Sequence, residues 1–291
     1  MQIDSRLALI DPPVAIHRPA RQTLPLVLTS PHSGRQYPPQ FQAASRLDAL
    51  ALRKSEDSFV EEIFLAAARL GAPLLRARFP RAYCDVNREP YELDPTMFDD
   101  DLPAHANTSS VRVAGGLGTI ARVVASGENI YRAKLPYAEA ERRIRHYYRP
   151  YHAALAELVD ATVEQFGQCI LIDCHSMPSV ALPAANRRAR DRPDIVLGDR
   201  FGTACHRDLT DQVEAELTRL GYRVGRNAPY AGGFTTAHYG RPAAGLHALQ
   251  IEINRAIYMD ETSFTRLPEL HRISQDMATM VRRIMGTISF C

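Results

Sequence analysis

The sequence predicts an α/β protein, three-layer α/β/α, built on a mixed, mostly parallel sheet. Three observations carry that expectation. Strand-length apolar runs alternate with longer helical patterns along the 291 residues. Two of those runs, 24–28 and 169–172, are apolar throughout apart from one Pro, as strands buried on both faces are. Both then break off into polar residues, Pro31-His32-Ser33-Gly34 and Asp173-Cys174-His175-Ser176. In open α/β sheets the crevice beyond the carboxyl ends of the strands is where ligands bind.

Composition bounds the rest. With 45% hydrophobic residues the chain can bury a substantial core, and a single domain over 1–291 is expected. Residues 1–22 are punctuated by Pro and predict a surface arm. Residues 91–135, rich in Asp, Pro and Gly, predict an insertion over the sheet edge. A net charge of +2 opposes a nucleic-acid module, although Lys54 and Lys134 are the only lysines and Arg supplies nearly all the positive charge. Arg suits fork-like binding of carboxylates and phosphates. Five scattered cysteines predict reduced thiols, and no apolar run is long enough to cross a bilayer. The N-terminus lacks the apolar stretch of a signal peptide. A cytoplasmic enzyme with a small-molecule substrate, and no nucleic-acid or membrane partner, is the resulting expectation.

In chain order, the spacing of Phe59, Val60, Ile63, Phe64, Ala67 and Leu70 predicts a helix over 45–70. Ser55 and Asp57 lie just before its apolar face, as a helix N-cap or as a carboxylate turned to a cleft. A strand follows at 74–79, then a segment dense in Arg81, Asp85, Asn87 and Arg88, which is costly to bury without partners. That segment is either a solvated loop or an arginine clamp for a substrate carboxylate, and the clamp is favoured. Gly115-Gly116-Leu117-Gly118 lacks the Lys and Ser/Thr of a phosphate loop, so no nucleotide site is expected. Residues 136–166 predict the longest helix, kinked or divided at Pro150. Beyond the central strand an arginine-rich loop spans 181–193, with Arg187, Arg188, Arg190 and Arg192; a strand spans 194–199, an amphipathic helix 203–220 and a further strand 222–224. A Gly-containing loop over 227–242, with Tyr239 and Arg241, has the character of a pocket border. In the strand 247–254 the polar residues Gln250, Glu252 and Asn254 share one face. If that face meets the cleft, Glu252 is a natural general base. A helix over 265–288 closes the chain.

Two histidines at strand ends and an acid from a third segment have the composition of a catalytic zinc site with one position left for water. The distance in sequence from His32 to His175 excludes a compact HExxH helix, so the sheet has to gather the ligands.

Taken together and in order, seven segments resemble the N-formylglutamate amidohydrolase family. They are Pro31-His32-Ser33-Gly34, Glu56-Asp57, Arg81-x3-Asp85-x-Asn87-Arg88, Asp173-x-His175-Ser176, Asp194-x2-Leu197-Gly198, Gly232-Gly233-x-Thr235-Thr236-x2-Tyr239-Gly240-x-Pro242 and His247-Ala248-x-Gln250-x-Glu252. The resemblance implies a phosphorylase/hydrolase-like fold related to zinc carboxypeptidases. It implies hydrolysis of an N-acyl amino acid, typically N-formyl-L-glutamate from histidine breakdown. One Zn2+, or another divalent metal, would bind His32, Asp57 and His175, with Glu56 as the alternative to Asp57. Glu252 would be the base, and Arg81 and Arg88 would bind substrate carboxylate, with Asn87, Tyr239 and Arg241 as further contacts. A zinc carboxypeptidase or a deacylase of another N-acyl amino acid is the nearest alternative. A non-catalytic metal-binding protein would keep the ligands and lose the base, and Glu252 opposes that reading.

Overall fold

The central apolar run becomes the middle strand of a seven-stranded sheet. In the computed structural model, which describes residues 9–181 and 192–287, the strands are β1 (Val14–His17), β2 (Leu26–Ser30), β3 (Leu74–Ala77), β4 (Cys169–Met177), β5 (Ile195–Gly198), β6 (Val224–Arg226) and β7 (Leu246–Asn254). Their order across the sheet is β1-β3-β2-β4-β7-β5-β6. β4 runs parallel to both β2 and β7, and β5 parallel to β6, while β5 and β7 are antiparallel. The sheet is therefore mixed and mostly parallel in these pairings, as the sequence predicts. A separate antiparallel pair joins β8 (Met259–Asp260) to β9 (Thr265–Arg266). The helices are α1 (Pro39–Ala44), α2 (Ala49–Arg53), α3 (Val60–Ala68), α4 (Val111–Ala114), α5 (Tyr137–Arg143), α6 (Arg149–Phe166), α7 (Arg207–Arg219), α8 (Phe234–Tyr239) and α9 (Glu269–Thr287). Among the described residues no helix is long and apolar enough to cross a membrane.

The chain divides into two compact units. One takes the described parts of Met1–Ala15 with Pro31–Glu56 and Arg76–Ala154; the other takes Ile16–Ser30, Asp57–Leu75 and the described remainder from Leu155. The second unit holds most of the sheet. Leu26, Leu28, Ile170, Ile172, Cys174, Leu249, Ile251 and Ile253 pack one sheet face against α3, α7 and α9, through Ile63, Phe64, Val213, Ile273, Met277 and Val281. Because side chains alternate along a strand, the intervening residues Asp173, His175, Gln250 and Glu252 turn to the other face. α8 lies on that face, where the N–H of its N-cap Gly233 donates to Gln250 Oε1 at 2.8 Å. Helices thus flank the sheet on both sides.

The first unit has its own apolar cluster, built on Leu93, Met97, Phe98, Ile120, Leu135 and Ala140. Beside it the buried Arg143 guanidinium stacks 4.1 Å from the Tyr83 ring centroid. It donates to Glu139 Oε1 at 2.7 Å, the Tyr83 carbonyl at 3.0 Å and the Tyr131 hydroxyl at 2.6 Å.

Two expected helices differ in the structure. The span 45–70 is interrupted: α2 ends at Arg53, and α3 begins only after Phe59, whose φ of 69° is left-handed. No helix passes through such a residue, and the buried Phe59 ring, covered by the Arg266 guanidinium at 4.4 Å, holds it there. The helical spacing from Phe59 onward belongs to α3 alone. Neither Ser55 nor Asp57 is an N-cap: the Ser55 hydroxyl accepts from the N–H of Ala125, and Phe59 stands at the α3 N-cap position. In the span 136–166, α5 and α6 are joined by a π-helical turn, Ile144–Tyr148, directly before Pro150. Proline brings no N–H and crowds the preceding turn, and a widened turn accommodates both. Val14–His17, expected within a surface arm, is instead the strand at the end of the sheet order. Most of the arginine-rich loop, 182–191, and Cys291 lie outside the described residues. The four described cysteines are buried free thiols.

Candidate active site

β4 continues into its polar residues without a break, and its register against β7 sets the site. Asp173 faces Gln250 and His175 faces Glu252 across the parallel pair. All four are on the face turned from the apolar core, and all are buried. His175 Nε2 lies 2.9 Å from Asp173 Oδ2, and His175 Nδ1 lies 3.0 Å from Asp57 Oδ2. Arg255, which follows β7, donates from Nη2 to Asp57 Oδ1 at 3.0 Å and from Nε to Ser176 Oγ at 3.1 Å. Gln250 Nε2 donates to Glu252 Oε1 at 2.9 Å, so the bond from Gly233 fixes Gln250 and Gln250 in turn fixes Glu252.

The electrostatics of this unit favour a cation. Asp57, Asp173 and Glu252 are three buried carboxylates, and the Arg255 guanidinium pairs with Asp57. Burial opposes a charge on His175, but Asp173, Asp57 and Glu252 outweigh it and hold the imidazole pKa well above its ordinary value. A carboxylate at Nε2 selects the tautomer whose lone pair sits on Nδ1, aimed at Asp57. Two acceptors 3.0 Å apart need a positive species between them. A proton or a divalent cation can supply it.

The first unit repeats the same motif around the other histidine. His32 Nε2 lies 2.7 Å from Asp85 Oδ1, which also accepts from the Asn87 N–H at 2.9 Å. Arg81 reaches Asp85 Oδ2 from Nη2 at 2.7 Å, and Arg88 Nη2 lies 3.6 Å from it. Burial would raise the Asp85 pKa, but Arg81, Arg88 and His32 together hold it well below the usual range. Burial pushes the Arg88 pKa down to about 10 against the pull of Asp85. Arg88 also donates to the carbonyls of Leu117 and Asn87, both at 2.8 Å. The turn after His32 needs glycine, because a Cβ on Gly34 would overlap the Phe79 carbonyl.

Glu56 accepts from the Tyr37 hydroxyl at 2.7 Å and from Arg53 Nε at 3.1 Å, whereas Asp57 is the acid that meets His175. Tyr239 is buried on α8, and Arg241, two residues on, is exposed. Sequence reasoning assigned no role to Asp85, Gln250 or Arg255. The alternation that marked Glu252 also marked Gln250; nothing local tied Asp85 to His32 or Arg255 to Asp57.

A family model described as N-formylglutamate amidohydrolase matches residues 24–259. The chain belongs to that family. The crystal structure of an N-formylglutamate amidohydrolase from Ralstonia eutropha JMP134 is similar at 38% identity and a TM-score of 0.87, over 94% of this chain and 97% of that one. An N-formylglutamate deformylase of Pseudomonas putida is 30% identical over 258 residues, 87% of this chain and 88% of its own length. Another, from Pseudomonas aeruginosa, is 30% identical over 245 residues, 83% of this chain and 84% of its own. A protein of Agrobacterium tumefaciens, at 20% identity and a TM-score of 0.62, shares the fold.

Proposed function

We propose that this protein is a metal-dependent hydrolase that cleaves the amide of N-formyl-L-glutamate to formate and L-glutamate. The observation that carries the reading is the register of β4 and β7, which sets His175, a metal-type ligand held by Asp173, opposite Glu252, a carboxylate held by Gln250. Membership of the family and the deformylase activity for which the Pseudomonas relatives are named support the substrate.

His32, Asp57 and His175 are the proposed protein ligands, all buried and all of donor types that zinc accepts. The residues fit such an ion: each imidazole is braced at Nε2 by a carboxylate, the usual support of a metal-binding histidine, and Asp57 presents a carboxylate oxygen 3.0 Å from His175 Nδ1. A divalent ion, with zinc the best match, supplies Lewis acidity that polarises the formyl carbonyl and makes water acidic near neutral pH.

Glu252 then accepts a proton from water as the water oxygen bonds to the formyl carbon. It returns that proton to the amide nitrogen as the C–N bond breaks, releasing formate and the free amine. Gln250 holds the carboxylate in position through both transfers. Arg81 and Arg88 are the proposed partners of a substrate carboxylate, with Asn87, Tyr239 and Arg241 as further substrate contacts. Formate release from N-formyl-L-glutamate, compared with N-acetyl and peptide substrates before and after chelation, tests the reading. Turnover of the formyl compound that stops on chelation and returns with metal supports it. Turnover only of peptides, or unaffected by chelation, overturns it.

A further inference from the structure

We infer that a cavity walled by Arg35 and Arg53 selects the side-chain carboxylate of the substrate. The inference rests on the hydrolase reading above and names what makes that hydrolase choose an acidic amino acid. N-formyl-L-glutamate carries two carboxylates. Arg88 is occupied by two carbonyls and Asp85, and Arg81 holds Asp85 through two nitrogens. That pair is suited to one carboxylate at most, so the second calls for other cations.

The cavity, of about 540 Å³, lies within the unit that carries His32 and is lined by Arg35, Tyr37, Gln42, Leu52, Arg53 and Glu56, with Ala49. Its volume suits a small ligand. The lining carries two guanidiniums and one carboxylate. Glu56, 1% exposed, orients the rest: it grips Arg53 Nε through both oxygens, at 3.2 and 3.1 Å, and accepts the Tyr37 hydroxyl. Burial and Glu56 hold the Tyr37 pKa well above its ordinary value, so the hydroxyl keeps its proton and donates. The Arg53 side chain is nonetheless 25% exposed, so its charge is presented as well as fixed. Leu52 adds an apolar wall suited to methylene groups, and Gln42 a neutral polar one.

The chain ties this cavity to the metal ligands. Arg35 is three residues beyond His32, so their Cα atoms are within about 10 Å even in a fully extended chain. Gly34, pinned against the Phe79 carbonyl, fixes the turn that carries both. Glu56 is covalently next to Asp57. In an extended N-formyl-L-glutamate the formyl carbon and the side-chain carboxylate are about 6 Å apart, and the length of the Arg35 side chain adds to that reach.

The test uses full-length protein, Arg35→Met, and the double variant Arg53→Met/Glu56→Gln, which removes both charges and strands neither. Metal content, calorimetric binding of L-glutamate and L-glutamine, and kcat/KM for N-formyl-L-glutamate and N-formyl-L-glutamine are measured. Wild type is expected to prefer the acidic member of each pair. Each variant is expected to lose at least about tenfold of that preference through KM and Kd, with metal content unchanged. Retention of wild-type preference by metal-loaded variants overturns the inference, and so does a wild type indifferent to the charge. If wild type releases no formate yet binds glutamate over glutamine in an Arg35-dependent way, the hydrolase reading fails and the cavity assignment stands.

Discussion

His175 and Asp173 are hydrogen-bonding partners within a single strand, Nε2 to Oδ2 at 2.9 Å. Two residues apart on β4, they share a face, and the strand itself holds them in position. The carboxylate fixes both the orientation of the imidazole and the nitrogen that carries the proton. Asp173→Asn is therefore expected to weaken metal binding by about 10–100-fold while leaving the fold intact. Competition against a chelator of known affinity checks this, and unchanged affinity removes Asp173 from the support of the site.

Glu252→Gln keeps the shape of the side chain and the β4–β7 register but removes the proton acceptor. The variant is expected to keep its metal and to lose about 10²–10⁴-fold in kcat, with KM little altered. Steady-state formate release together with metal analysis separates this from a binding defect. Full activity would show that another group takes the proton.

Asp85 gives the pH dependence a definite sign. Its folded pKa is held well below the unfolded value by Arg81, Arg88 and His32, which outweigh burial. Its contribution to stability is thus complete above the unfolded carboxylate value near about 4 and is lost as the pH falls through the depressed folded value. Asp85→Asn is expected to melt below wild type at neutral pH, and the gap in Tm is expected to narrow as the pH falls below about 4. Melting curves across that range decide it, and a gap independent of pH would rule out the ionised pair as its source.

Arg143 is a structural charge rather than a functional one. Buried among Phe41, Tyr83 and Tyr131 and bonded to Glu139, it is expected to cost about 3–5 kcal/mol when replaced by Met. Urea unfolding measures the loss. A change below about 1 kcal/mol would mean that the aromatic cage repacks around the shorter side chain.

The parts of the site that end strands were legible in the sequence. His32, His175 and Glu252 each follow or interrupt an apolar run, and period-2 alternation placed Glu252 on a polar face before any pairing was known. Asp173 was legible for the same reason, since i and i+2 share a face whatever the rest of the chain does. Asp85 and Arg255 were not, because their roles depend on which residue lies opposite after folding: Asp85 is 53 residues from His32, and Arg255 is 198 from Asp57. The interruption at Phe59 was hidden too. A left-handed Phe has no local sequence signature, and helical spacing on one side of it spilled into the expectation for the other. Pro150 did announce a disturbance, which became a widened turn.

Elemental analysis of purified wild type beside His175→Ala and Glu252→Gln tests most directly whether a divalent ion sits on these strand-end side chains. About one divalent ion per chain is expected in wild type and Glu252→Gln, and none in His175→Ala, with formate release from wild type alone. Equal metal in wild type and His175→Ala, or full turnover by a wild type stripped of metal, would contradict it.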